Sequence, residues 1–201
     1  ATAKYRELGT ATNLLTFNRM SALPTRNFQT GRFEEAVNIS AEQLTAARGK
    51  TRKSCAACTI GCEHIYSNGS TGVRIEYESL FALGSLCGLG DADAVLRASQ
   101  RCDELGIDTI SAGGTIAFAM ECVERGLLDE PWLTFGSGDA VLRAIDLIGR
   151  REGIGQLLAE AEVTEKLVQS FLEPSHDEST AGIVQSRHDS SRGESAARLT
   201  L

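Results

Sequence analysis

Cys55, Cys58 and Cys62 fall within SCAACTIGCEH, Ser54 to His64, and thiolates are the side chains that grip soft or borderline metals. A C-x2-C-x3-C run lets one tight loop present three sulfurs to a single centre, enough for three corners of a [4Fe-4S] cluster. The spacing differs from the C-x2-C-x2-C of bacterial ferredoxins, which argues against a small ferredoxin module. Zinc is the chemical rival. His64, which follows Cys62 by two residues, would then complete a Cys3His knot in a non-catalytic helical binding module. Three buried structural cysteines without a metal are the remaining alternative. Spacing alone leaves iron-sulfur and zinc open.

A second constellation lies in RCDELGIDTISAGGTIAFAMECVERGLL, Arg101 to Leu128. Asp103 sits at a helix end and Gly106 makes the turn. Asp108 and Thr109 then open the next helix, whose free backbone N–H groups can meet a polar or anionic ligand. A carboxylate such as Asp103 can also accept two parallel hydrogen bonds from an amino-pyrimidine edge. Simple capping by Asp108 or Thr109, with glycines for close helix packing, accounts for the same residues without any ligand.

The elements that must position these groups are legible in outline. At 201 residues and 42% apolar, the chain can build one good core. A formal charge of −7 without a basic block gives no support for nucleic-acid binding. No window approaches the roughly 18 apolar residues of a membrane span, and the N-terminus lacks the regions of a signal peptide. Six cysteines without secretory features fit metal binding or buried thiols in a reducing, cytoplasmic setting. The chain opens without Met, on what reads as mid-helix sequence, as a fragment would.

Residues 3 to 21 read as one or two short helices broken at Gly9. Pro24 makes Leu23 to Gly31 a loop. Ser40 followed by Gln43 is a capping-box pattern and predicts a helix over Ala41 to Ala47. His64 to Tyr66 and Val73 to Tyr77, separated by a Gly-rich turn, predict a small β-hairpin. Helices follow over Leu80 to Leu86, Asp91 to Leu105, Thr109 to Arg125, Asp139 to Ile148 and Gly155 to Leu172, several of them stopped by glycine. The fold class is therefore mainly α, a multihelical body over residues 1–173. Residues 174–201, rich in Ser and charge, predict a disordered tail in which His176 and His188 have no role.

Taken together, ALPTRNFQTGRFEEA, CAACTIGC, EYESLFALGSLCGLGD, CDELGIDTISAGGTIAFAMECVERGLL and REGIGQLLAEA occur in an order that resembles the aldehyde ferredoxin oxidoreductase family. These are the tungsten and molybdenum bis-pterin enzymes, and the resemblance covers about Lys4 to Ala161. It implies the C-terminal helical domains of that family. It also implies that Cys55, Cys58 and Cys62 are three ligands of a [4Fe-4S] cluster. The family's D-x-x-G-L/I-D motif matches Asp103, Gly106, Ile107 and Asp108, so these contact one pterin, the two aspartates by side chain and Ile107 by its backbone. The acidic stretch EYE resembles the segment that brings a glutamate to the metal, and Glu78 matches better than Glu76. A carboxylate in a closed pocket can serve proton transfer there.

The implied activity is oxidation of an aldehyde, with water, to a carboxylic acid, with electrons leaving through the cluster to ferredoxin. Two family features are missing from this sequence: a β-rich base domain, and the D-x-x-G-L-C motif that carries the fourth cluster cysteine. The resemblance thus implies a partial oxidoreductase, inactive unless complemented. Cys87, Cys102 and Cys122 fit buried, inert thiols better than a substitute fourth ligand. Some members bridge a dimer through a metal held by a glutamate. The matching helix here, ADAVLRASQRC, has none, which argues against that bridge and leaves a homo-oligomer of another kind open.

Overall fold

The computed structural model describes residues 2–69 and 71–160. Among them the fold is mainly α, with one small antiparallel sheet. Helices α1 (Ala3–Leu8), α2 (Asn13–Arg19) and α3 (Ala41–Ala47) precede strands β1 (Lys50–Lys53), β2 (Glu63–Asn68) and β3 (Thr71–Ile75). Helices α4 (Tyr77–Leu83), α5 (Ala92–Leu105), α6 (Thr109–Glu124), α7 (Gly138–Arg150) and α8 (Ile154–Glu160) form the rest. The stretch of the last expected helix beyond Glu160, and the tail with His176 and His188, lie outside the described residues.

Local chemistry sets most of the helix ends. Ser40 accepts the Gln43 N–H at 3.2 Å, Asp91 that of Asp93 at 2.9 Å, Asp108 that of Ser111 at 2.8 Å and Ser137 that of Ala140 at 3.2 Å. Each satisfies one of the donors a helix leaves free at its start. α6 is buried along most of its surface, from Ala112 and Gly113 to Met120 and Cys122. A helix apolar all round belongs in the middle of a core. α4 and α5 pack against α6, and α7 closes over α5. Leu80, Leu83, Leu96, Ile116 and Ile145 are among the side chains buried there, each worth about 1.5–3 kcal/mol on leaving water.

The sheet departs from the expected hairpin in two ways. A third strand, β1, pairs antiparallel with β2 in the register Lys50↔Tyr66 to Lys53↔Glu63. Its sequence KTRK has no apolar alternation, so only the backbone ladder to β2 defines it. The second strand ends at Ile75 rather than Tyr77, whose N–H donates to Thr10 Oγ1 at 3.0 Å as α4 begins. Tyr77 then stacks between Phe17 and Phe81, with both ring centroids 5.2 Å away. The helix expected over Leu80 to Leu86 therefore starts earlier and stops at Gly84. A Cβ there would lie 2.2 Å from the Leu80 carbonyl oxygen and 2.6 Å from Ile39 Cδ1.

Candidate metal and cofactor site

The cysteine run is the connection between β1 and β2. Lys53 and Glu63 are paired across the sheet, so Ser54 to Cys62 leaves its end and returns. The Cys58 N–H donates to the Cys55 carbonyl at 3.0 Å, and the Ser54 hydroxyl donates to the Cys58 carbonyl. Ala57 and Gly61 take left-handed backbone, with φ of 59° and 58°. The N–H of Gly61 first, then that of Ile60, holds the Cys58 thiol below its ordinary value, with a smaller push from Ser54. Cys55 is exposed, while Cys58 and Cys62 are half-buried.

The donor set suits a cluster. Sulfurs on one open loop, one of them eased toward thiolate by backbone N–H groups, are what iron corners require. Among the described residues no three His, Cys, Asp or Glu side chains stand close enough to share one metal ion.

His64, which a Cys3His site would need, points elsewhere. It is fully buried on β2, with Nε2 3.2 Å from the Arg6 carbonyl oxygen. Nδ1 is buried without a hydrogen-bond partner among the described residues. Burial, then the nearby Lys50 charge, lowers its pKa below the usual imidazole range. A Cβ on Gly9 would meet the Cys62 carbonyl oxygen at 2.7 Å and His64 Cγ at 3.4 Å. His64 is thus a core residue under the N-terminal segment, because it shares the buried face of β2 with Tyr66.

The second constellation forms a cleft of about 240 Å³. Glu78, on the first turn of α4, faces Asp103 at the end of α5 and Asp108 at the start of α6. Gly106 makes the turn between them in left-handed backbone, φ 68°, and no atom lies within 4 Å of where its Cβ would be. The Gly106 N–H donates to the Asp103 carbonyl at 3.2 Å and that of Ile107 to the Cys102 carbonyl at 2.9 Å, the paired bonds of a Schellman turn. The Ile107 N–H is therefore committed inside the protein, and its carbonyl is the backbone group left for a ligand. One Asp108 oxygen is likewise used by its cap.

Sequence reasoning missed Arg74, which lines the same cleft from β3. Its Nη2 donates to Glu76 Oε2 at 3.0 Å, and its Nε lies 4.0 Å from Glu63 Oε1. Glu76 is thereby neutralised, while Glu78 has no hydrogen bond or ion pair among the described residues. The alternation Val73, Arg74, Ile75 was the available signal, since it sets Arg74 opposite the buried face.

Residues 1–170 match the family model described as aldehyde ferredoxin oxidoreductase, domains 2 and 3. The chain belongs to the aldehyde ferredoxin oxidoreductase family. It is 41% identical over 160 residues to a tungsten-containing aldehyde ferredoxin oxidoreductase of Thermococcus kodakarensis, covering 76% of this chain and 26% of that protein. A Pyrococcus abyssi protein of the same name is 42% identical over 162 residues, covering 76% and 27%. The WOR-like subunit of an aliphatic sulfonate oxidoreductase from Pyrococcus furiosus is 33% identical over 113 residues, covering 51% and 18%. Among solved structures, the active-site complex BamBC of benzoyl coenzyme A reductase shares the fold. Its TM-score is 0.60 at 23% identity, over 77% of this chain and 24% of that one. This family member spans about a quarter of the length of the curated relatives it matches.

Proposed function

We propose that this chain is the part of a tungsten or molybdenum bis-pterin oxidoreductase that holds three corners of a [4Fe-4S] cluster and one pterin. The whole enzyme would oxidise an aldehyde with water to a carboxylic acid, releasing two protons and two electrons, with ferredoxin as acceptor. One observation carries this reading: Glu78, Asp103 and Asp108, from three helices, line one cleft, and the cysteine loop hangs from the same three-stranded sheet whose β3 leads into it.

Cys55, Cys58 and Cys62 would hold the cluster, and Asp103, Asp108 and the Ile107 carbonyl would hold the pterin edge. Bound there, the metal-pterin group supplies the two-electron acceptor and the cluster a one-electron relay. The protein's own task is placement. Asp103 and Asp108 accept hydrogen bonds from amino groups, and the rigid Schellman turn fixes their spacing. Glu78, without a hydrogen-bond or ion-pair partner among the described residues, is the carboxylate available to take a proton at its oxygen.

Anaerobic purification followed by iron, sulfide, tungsten and zinc analysis tests this. Iron and acid-labile sulfide in equal amounts, with the broad visible absorption of a cluster, are expected. Stoichiometric zinc in a colourless protein would overturn the reading. Within the cleft, Asp108→Asn keeps the helix cap, whereas Asp108→Ala removes it at a cost of about 1 kcal/mol. If Asp108 meets the pterin by its charge, both variants lose pterin retention and only the second loses stability.

A further inference from the structure

We infer that the basic edge of the sheet around the cysteine loop, formed by Arg6, Arg52 and Lys53, is a docking surface for an acidic one-electron carrier protein. This rests on the cluster reading above and adds where the electron would leave. Between Leu44 and Cys62 the chain has four cations, Arg48, Lys50, Arg52 and Lys53, and no acid, in a molecule whose formal charge is −7. Two of the four are occupied: Arg48 pairs with Asp93, and Lys50 Nζ donates to the Glu7 carbonyl and to Thr45 Oγ1.

The other two are exposed on β1, an edge strand of the sheet, and neither has a carboxylate within 4.0 Å among the described residues. Glu63, across the ladder from Lys53, turns to Arg74 instead. Arg52 lies along the loop itself, since a Cβ on Gly61 would be 3.3 Å from its Nε. From the far side Arg6, on α1, points Nη2 at the Thr59 carbonyl oxygen, 3.5 Å away. Guanidinium groups from two separate elements therefore flank a loop whose Cys55 is open to solvent.

Cations on an edge strand also discourage strand-to-strand aggregation. That role explains Arg52 and Lys53 but not Arg6, which belongs to a helix and joins them at the loop. Unpaired charge of one sign beside a redox centre suits a transient, electrostatically steered encounter, which needs little buried area. An acidic surface is the complement, and an electron carrier is the partner that gains from a short path to the sulfurs.

The test uses the full 201-residue chain, with an acidic [4Fe-4S] ferredoxin as the probe. Binding is titrated at ionic strengths of about 0.01 M and about 0.15 M, where charges are felt over about 30 Å and about 8 Å. Kd is expected to weaken by about tenfold or more with the added salt, and by as much at low salt in Arg52→Glu/Lys53→Glu. Arg19→Glu/Arg150→Glu, which makes the same charge change at exposed sites elsewhere, should stay within about twofold of the parent. The docking surface is refuted by absent binding at low salt, by an unaltered Kd in the loop variant, or by equal weakening in the control pair. Circular dichroism confirms that each variant is folded. Metal analysis of the same samples separates the two proposals: stoichiometric zinc overturns the cluster reading and the electron-carrier surface with it, whereas iron and sulfide with an unaltered Kd in the loop variant overturn the docking surface alone.

Discussion

The protein places half of its six cysteines in each of two opposite surroundings. On the loop between β1 and β2, backbone N–H groups approach Cys58 and draw its thiol toward ionisation. In the helical half, burial pushes Cys87 and Cys102 from the ordinary 9.0 to about 12 and Cys122 to about 11. Cys87 even spends its S–H on the Ala82 carbonyl at 3.4 Å. On the cluster reading proposed above, the same side chain serves as a ligand in one place, and in the other it is a small hydrophobe. What differs is whether fixed dipoles or apolar atoms surround the sulfur, and that is a property of the packing.

Exchanging one sulfur for oxygen in each region is the most severe way to break this contrast. Cys58→Ser should lose at least about nine-tenths of its iron and sulfide, while its metal-free form melts within about 0.5 kcal/mol of the metal-free parent, as surface changes do. Cys102→Ser should do the reverse, holding its iron but losing about 1–3 kcal/mol because a hydroxyl is buried in an apolar site. Iron analysis beside denaturant titration reads both. If Cys102→Ser proved to be the one that lost iron, the division of roles would be wrong.

A smaller effect probes how the helical half holds the cleft together. A Cβ on Gly113 of α6 would lie 2.4 Å from the Ala82 carbonyl oxygen of α4, whereas nothing lies within 4 Å of the same atom on Gly114. Gly113→Ala should therefore cost about 1–3 kcal/mol by forcing the helices apart. Gly114→Ala should stabilise by about 0.5–1 kcal/mol through helix propensity. Because α4 carries Glu78 and α6 opens at Asp108, only the first change should also lower pterin retention. Denaturant midpoints and pterin release on acid treatment check both.

The most gradual expected change is a pH slope. The folded state keeps the Cys87 proton to about 12, whereas an unfolded thiol ionises near the ordinary 9.0. That stability is complete below the unfolded value and is lost as pH rises toward the folded one. Raising the pH from about 8 to about 9.5 should cost no more than about 1.5 kcal/mol for this thiol. Cys87→Ala should show a correspondingly flatter loss of stability over that interval. An unchanged slope would mean that the buried thiol is not held neutral by its surroundings.

Features written in short stretches of chain are legible from the residues themselves. Ser40 and Gln43 mark a helix start, Gly106 a helix end, and the helix over Ala92–Leu105 falls within about a residue of its expected limits. Caps and turns depend on neighbours a few positions away, so residue type and spacing suffice. The cysteine loop and the D-x-x-G-I-D turn are visible for the same reason. Strand β1 is not, because KTRK becomes a strand only through bonds to β2. His64 looks like a ligand beside Cys62, yet the pleat of β2 and the arrival of Arg6 and Gly9 from the N-terminal segment turn its ring into the core. The meeting of Glu78 and Arg74 with Asp103 and Asp108 likewise depends on α4 and α5 packing against α6. By itself, then, the sequence determined which groups exist and how each local turn is made. The tertiary structure alone decided which of them face one another and which are kept from water, since burial and long-range contact arise only when distant segments pack.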